Sequence, residues 1–453
     1  MRTAAFAVFL AVSLTLQSTA QQAPAPKPLR IPIEEHKLDN GLRIVMSVDH
    51  SAPTYGISIT YNVGSHNEHQ GRTGFAHLFE HMLFEGSENV GKGEHMILVE
   101  NNGGNMNGTT TEDRTNYFES FASNQLDLGL FLEADRMRSL AVNQANLDNQ
   151  RNAVQEERRL GVDNQAYGET SEVLQDLVYD NFANKHSVIG SMQDLNAATI
   201  KDVQEFFRIY YAPNNAVLTL VGDFDPAVAL AKIKKYFGAI PSQPAPPTPD
   251  LAEPKQTAER RKTIEDPFAR VPRIDIAFKI PPGNTPDDYS LDVLSTALGE
   301  GQSSRLYQDL VKDKELAVNV FCYVDEHKGP STFNVTVLAR PGKDLKEIEK
   351  AVYADLDQAK SAPLAGWEIQ KARMMERRQT AQELQSTLYR AYLIGEMAVI
   401  YGDPNLINTR FDKIEKVGTE DIQRAAKTYL TEENRTVVTT LPKPKPETAK
   451  AAN

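Results

Sequence analysis

The residues with the most chemistry in them lie in one short run, Gly74-Phe75-Ala76-His77-Leu78-Phe79-Glu80-His81-Met82-Leu83-Phe84. His77, Glu80 and His81 stand at i, i+3 and i+4, so on an α-helix all three share one face. Phe75, Leu78, Phe79, Met82 and Leu83 make most of the remaining circumference apolar. That describes a buried helix carrying a polar stripe, and a buried polar stripe needs a partner. Two imidazoles one turn apart can hold one Zn2+, and a carboxylate on the same face can take a proton from a water at the metal. The order His-x-x-Glu-His inverts the commoner His-Glu-x-x-His zinc motif. The bland alternative is a core helix whose histidines are merely hydrogen-bonded. Three such residues on an otherwise apolar helix favour the metal.

A catalytic zinc takes three protein ligands, and this helix supplies two. A carboxylate on a neighbouring helix is the economical third. The stretch 147–160 (LDNQRNAVQEERRL) reads as a helix and offers the adjacent Glu156 and Glu157, although a solvated Glu-Glu-Arg-Arg face is the alternative reading. His66 and His69 lie in the polar loop before the motif, where histidines are usually just solvated.

The elements that must position these groups follow from pattern. His36 to Met46 reads as strand, Asn-Gly turn and strand, and Thr54–Tyr61 as a further strand. Asn101–Gly108 is turn-rich. Thr109–Phe121 alternates like a strand, suited to pairing with an extended peptide or simply to membership of a sheet. Helices are expected at 126–137, 147–160, 172–179, 200–211 and 227–237, with a buried strand at 216–222. Between Ile240 and Pro254 six of fifteen residues are proline, which excludes helix and central strand and marks a boundary. The second half then restarts the pattern: strand 273–280, a helix at 289–298 with Leu, Val and Ala where the first half has His and Glu, a helix at 303–312, strands near 318–324 and 332–338, helices at 345–359 and 367–398, and a last strand at 435–440. The expected architecture is therefore two tandem homologous α+β domains, each a sheet with helices on one side, only the first carrying metal chemistry. The expected divisions are a signal segment 1–20, a linker 21–30, a zinc-bearing domain 31–240, a Pro-rich linker 241–262, a second domain 263–441 and a disordered tail 442–453.

The chain has 453 residues, 40% hydrophobic and 24% charged, too long for one ordinary core. Arg2, the apolar run Ala4–Leu16 and Ser18-Thr19-Ala20 have the form of an export signal cleaved after Ala20, which places the protein in the periplasm. No second apolar stretch is long enough to span a membrane. The formal charge is −12, and removal of the first twenty residues, with one Arg and no acid, gives −13. That balance argues against nucleic acid as a partner. Cys322 is the only cysteine, so no intrachain disulfide forms.

The chain resembles the pitrilysin/insulinase family of zinc metallopeptidases, which includes the mitochondrial processing peptidase. The matching residues are Gly74–Phe84, Gly103-Gly104 with Asn107, Asp113–Tyr117, Leu132–Met137, Val154–Arg159 and Gly222–Asp225, within a resemblance covering about residues 31 to 441. The resemblance implies that His77, His81 and Glu157 bind Zn2+ (Mn2+ or Co2+ being alternatives for such a set) and that Glu80 is the general base for water attack on a peptide carbonyl. It implies that the Asn107–Tyr117 region, with Asn107, Thr110 and Tyr117, meets the substrate, an extended peptide or unfolded protein segment. Gln150 stands where many members have a glutamate, as an outer partner of a ligand. Gly301–Leu306 matches a second-half motif whose Arg, here Arg305, binds substrate together with a Tyr. Val318 occupies the position of that Tyr and has no donor. Short members work in pairs, so the expectation is a zinc-bearing subunit of a dimer. A homologous partner would supply the Arg/Tyr carbonyl clamp, or a second copy of the chain would take its place. The competing expectation is a non-catalytic peptide-binding or scaffolding subunit.

Overall fold

The computed structural model describes residues 30–444. The expected signal segment 1–20, the linker up to residue 29 and the tail beyond Pro444 lie outside the described residues. Among the described residues no helix is long and apolar enough to cross a membrane.

Two sheets organise the chain. The first contains β1 (Glu34–Lys37), β2 (Arg43–Val48), β3 (Thr54–Tyr61), β4 (Asn105–Thr110), β5 (Thr115–Ala122) and β6 (Ala216–Gly222), in the spatial order β1-β2-β6-β3-β5-β4. The second contains β7 (Arg260–Asp266), β8 (Arg273–Ile280), β9 (Ala317–Asp325), β10 (Ser331–Ala339) and β11 (Arg435–Pro442), in the order β7-β11-β8-β10-β9. Without β1 the two orders are the same. So are the senses: β2 and β6 run parallel, as do β7 and β11, and every other pairing within either set is antiparallel. This is the expected internal duplication, strand for strand, in an α+β fold.

Two expectations about the strands are corrected. Asn101–Gly108 is not all turn, because Asn105–Thr110 forms β4. Its ladder to β5 runs from Asn105 opposite Ser120 to Thr110 opposite Thr115, and that pairing overrides the turn-like composition. The hairpin turns instead at 111–114, where Thr111 N donates to Arg114 O at 2.9 Å. The other correction is β7, which opens at Arg260 inside the stretch read as linker; its partner β11 is remote in sequence.

Neither sheet has helices on one side only. On the first sheet Ile44, Met46, Leu218 and Leu220 face a core shared with the helices Phe75–Met82, Leu126–Ser139 and Ile200–Tyr210. The alternate residues Val45, Val217 and Val221 face Ala391, Ile394 and Ala398 of the helix Thr387–Ile400, which belongs to the second half of the chain. Strands buried on both faces read as continuous apolar runs, as 216–222 does. The exchange is reciprocal. The helix Gly168–Val178, from the first half, lies on the second sheet, where Thr170 and Thr440 hydroxyls are 2.7 Å apart and Val178 packs on Ala277. Two glycines allow the first of these contacts. A Cβ on Gly56 of β3 would come within 2.6 Å of Leu388 Cα, and one on Gly395 within 2.5 Å of Thr60 Oγ1.

Candidate active site

The His77 helix, Phe75–Met82, starts at Gly74 in the left-handed region (φ 85°). A Cβ there would meet Ile189 O at 2.7 Å, so the residue serves both the turn and the close approach of the backbone. The helix N-terminus is capped from the loop. Both oxygens of the buried Glu68 accept backbone hydrogen bonds, from Gly74 N at 2.9 Å and Ala76 N at 2.8 Å, and His186 Nε2 lies 3.0 Å from the same carboxylate. A negative group at this end of a helix is favoured by its dipole.

Beside it runs the helix Gln144–Arg158. Leu147 and Val154 anchor it in the first core, and Gln150 and Glu157, two turns apart, project from a similar face. The result is convergence. His77 Nε2 lies 3.5 Å and His81 Nε2 3.2 Å from Glu157 Oε2, and the two rings stand 4.9 Å apart at 82°. The ligand atoms of these three side chains all fall within 4.8 Å of one another, the only such group of metal-ligating residues among the described residues. Atoms bound about 2.0–2.1 Å from a tetrahedral zinc stand roughly 3.3 Å apart, so the donor set fits the ion in type and in spacing. Glu156, the other candidate, turns to Arg159 at 2.9 Å in solvent.

The electrostatics suit metal binding. Burial holds the pKa of His77 down at about 4 against the pull of Glu157, so at neutral pH the ring is neutral, the form that can ligate a metal. Burial also works against a charged His81, but the hydrogen bond and charge of Glu157 outweigh it and raise its pKa. The His81 contact in turn holds the Glu157 carboxyl below its ordinary value. His81 Nδ1 is 3.2 Å from Gln150 Oε1, the outer contact expected of Gln150.

Glu80 sits on the same helix face. Burial raises its pKa, partly offset by the hydrogen bond that Thr110 Oγ1 donates to Glu80 Oε2 at 2.6 Å. Thr110 closes β4, one of the two edge strands of the first sheet, and Asn107 is exposed on that strand. Gly108 keeps the strand close, since a Cβ there would be 3.0 Å from Glu80 Cγ.

Other expectations fare differently. Tyr117 is 0% exposed and cannot touch a substrate; its hydroxyl donates to Phe79 O at 3.2 Å and its ring lies under the Arg136 guanidinium at 4.5 Å. It braces the His77 helix from beneath, while its neighbour Phe118 points to the other face and packs on Tyr392. Thr110 has its hydroxyl engaged by Glu80 rather than free for a ligand. Arg305 does not join the converging group: it forms a two-point pair with Glu368, at 2.6 and 2.7 Å. Val318 is 51% exposed at an irregularity of the edge strand β9, and Tyr323 stacks on Phe321 instead of replacing it. His66 is buried against Asp113 at 3.0 Å and His69 is exposed, so neither approaches the metal group. Glu68 and Glu85, both structurally engaged here, carried no signal of spacing in the sequence.

Comparisons agree with this geometry. Residues 43–192 match the profile described as Insulinase (Peptidase family M16), and residues 197–376 that described as Peptidase M16 inactive domain. The chain is 29% identical over 416 residues to Zinc protease PqqE of Helicobacter pylori, covering 89% of this chain and 92% of that protein. It is 22% identical over 407 residues to the probable mitochondrial-processing peptidase subunit beta of Arabidopsis thaliana, covering 87% and 75%. The crystal structure of a protease from Helicobacter pylori superposes with a TM-score of 0.87 at 28% identity, covering 91% of this chain and all (100%) of that one. With duplicated α+β halves and a His-x-x-Glu-His helix in the first of them, the chain belongs to the M16, or pitrilysin/insulinase, family of peptidases.

Proposed function

We propose that this protein is a zinc-dependent metalloendopeptidase that hydrolyses extended peptide segments. The observation that carries the reading is the convergence of His77, His81 and Glu157 on one point, with Glu80 beside them. The names of relatives, zinc proteases among them, support a peptidase reaction. A zinc ion held by His77, His81 and Glu157 would supply Lewis-acid polarisation of a carbonyl and a more acidic water. The residues do the rest. Glu80 takes the proton at Oε1, because Oε2 already accepts from Thr110, and its burial makes it a stronger base than an exposed carboxylate. The unpaired edge of β4 offers backbone N–H and C=O groups to an incoming strand, which would lie beside Glu80.

The likeness to a processing-peptidase subunit and the lone, donor-free Val318 support a working unit of two chains. In it a homologous partner, or a second copy, completes the carbonyl clamp. The N-terminal segment supports export to the periplasm, with removal of residues 1–20. The test is zinc content and peptide hydrolysis by the processed chain, with Glu80→Gln as control. Wild type is expected to hold one zinc and cut unfolded peptides. Glu80→Gln should keep the zinc and lose about 100- to 10,000-fold in kcat. Zinc without hydrolysis, alone or with a homologous partner, would support a peptide-binding subunit instead.

A further inference from the structure

A chain of side chains behind His81 ends on a carboxylate that the reaction does not use. Glu85 lies just beyond the His77 helix and is 8% exposed. Its Oε1 accepts from Gln150 Nε2 at 2.5 Å, and its Oε2 faces Lys92 Nζ at 2.5 Å. Lys92 also donates to Asn149 Oδ1 at 3.3 Å, and that oxygen accepts from Gln150 Nε2 at 2.9 Å. On its other side Gln150 Oε1 stands 3.2 Å from His81 Nδ1.

The chemistry gives this chain a direction. A carboxylate facing an ammonium can only accept hydrogen bonds. The two ends of a glutamine amide are nearly the same shape, and its neighbours decide which way round it sits. Glu85 and Asn149 both present acceptors, so Gln150 turns its NH2 to them and its carbonyl to His81. That carbonyl can only accept, so it keeps a proton on His81 Nδ1 and leaves Nε2 as the nitrogen that gives up its proton to a metal. Nε2 is the atom that faces Glu157. His77 has no such device: its Nδ1 is buried with no hydrogen-bond partner among the described residues.

We propose that Glu85, held by Lys92 and acting through Gln150, is a positioning residue that fixes the tautomer and ring orientation of His81 and thereby its competence to bind zinc. The proposal rests on the metallopeptidase reading for its purpose, but not for its test. Glu85→Gln preserves shape while adding a donor: Lys92 keeps the new amide's oxygen, so its NH2 faces Gln150 and turns that side chain over to offer NH2 to His81, at the loss of the Asn149 contact. Nδ1 must then accept, and the ring's proton is held at Nε2, the atom a metal would need. Zinc affinity of the processed chain, measured by competition with a chromophoric chelator, is expected to fall about 10- to 100-fold. The double variant Glu85→Gln/Gln150→Glu should return to near the wild-type affinity, because a carboxylate at 150 accepts from Nδ1–H whatever stands at 85. Thermal unfolding of the metal-free proteins identifies any folding defect.

Unchanged affinity in the single variant, or equal loss in the single and double variants, overturns the proposal. An independent readout needs no zinc. In metal-free protein carrying Glu157→Ala, which removes the carboxylate that accepts from Nε2, 15N shifts of the neutral His81 imidazole at alkaline pH should report Nδ1–H with Glu85 and Gln150 intact and with the paired substitutions at 85 and 150, and a shift toward Nε2–H with Glu85→Gln alone. Nε2–H in that background with Glu85 and Gln150 intact overturns it. If all these outcomes hold and the protein cuts no peptide, the peptidase reading fails and the positioning role stands.

Discussion

Glu156 and Glu157 are neighbours with the same side chain, and only their direction distinguishes them. Successive helical residues point about 100° apart, so Glu157 meets both histidines while Glu156 pairs with Arg159 in water. Glu157→Gln should therefore lose zinc affinity by more than the roughly 100-fold that loss of an outer partner costs, whereas Glu156→Gln should bind like wild type. Zinc stoichiometry after dialysis against a weak chelator separates them; equal retention would remove Glu157 from the ligand set. The pair also marks what sequence can convey. His77, Glu80 and His81 were readable from spacing because one helix carries all three. The third member of the converging group was not, because helical periodicity says nothing about which helices lie side by side, and resemblance alone distinguished Glu157 from its neighbour. Tyr117 shows the opposite failure: its place in a matching motif suggested substrate contact, while its hydroxyl braces Phe79 O inside the core.

At the scale of elements, the sheet of each half was legible where alternation or a continuous apolar run marked the strand. β4 was hidden by its Asn/Gly/Thr composition, and the charged β7 (RRKTIED) by a parallel partner more than a hundred and fifty residues away. The reciprocal covering helices were readable as helices but not as occupants of the other half's sheet, since that contact is entirely non-local. Its tightness can be tested at Gly56. A Cβ there meets backbone of the covering helix, Leu388 Cα at 2.6 Å and Leu388 N at 2.8 Å, which cannot swing aside as a side chain would. Gly56→Ala is expected to destabilise by about 1–3 kcal/mol, the range for overpacking a filled site. Gly395→Ala meets a threonine hydroxyl on its nearest side and should cost less. Urea unfolding of the two variants gives the comparison, and an equal or reversed order would mean that the helix, not the side chains, yields.

Across the whole molecule the two halves also meet where their edge hairpins turn. The β4–β5 turn presents Glu112 and Asp113, and the β9–β10 turn presents His327 and Lys328. Lys328 N donates to Asp113 Oδ2 at 2.8 Å, while Asp113 Oδ1 faces His66 Nδ1 at 3.0 Å. His327 Nε2 lies 3.5 Å from Asp325 and its Nδ1 3.9 Å from Glu112. Burial opposes charge on this ring, but Asp325, Glu112 and Asp113 outweigh it and push its pKa up to about 9, from an ordinary 6.5. The folded protein thus holds this proton more tightly than the unfolded chain. The resulting stability is fully present below about pH 6.5 and is lost as pH rises through about 9. His327→Gln removes it. The Tm deficit of the variant should be widest near pH 6, where the lost stabilisation is on the order of 3 kcal/mol, and should narrow as the pH approaches 10. A deficit that stays constant across that range would assign the ring a packing role only. Because β4 runs from the Glu80 contact at Thr110 straight into this turn, a narrowing deficit would tie the protonation of His327 to the junction that carries the edge strand beside Glu80.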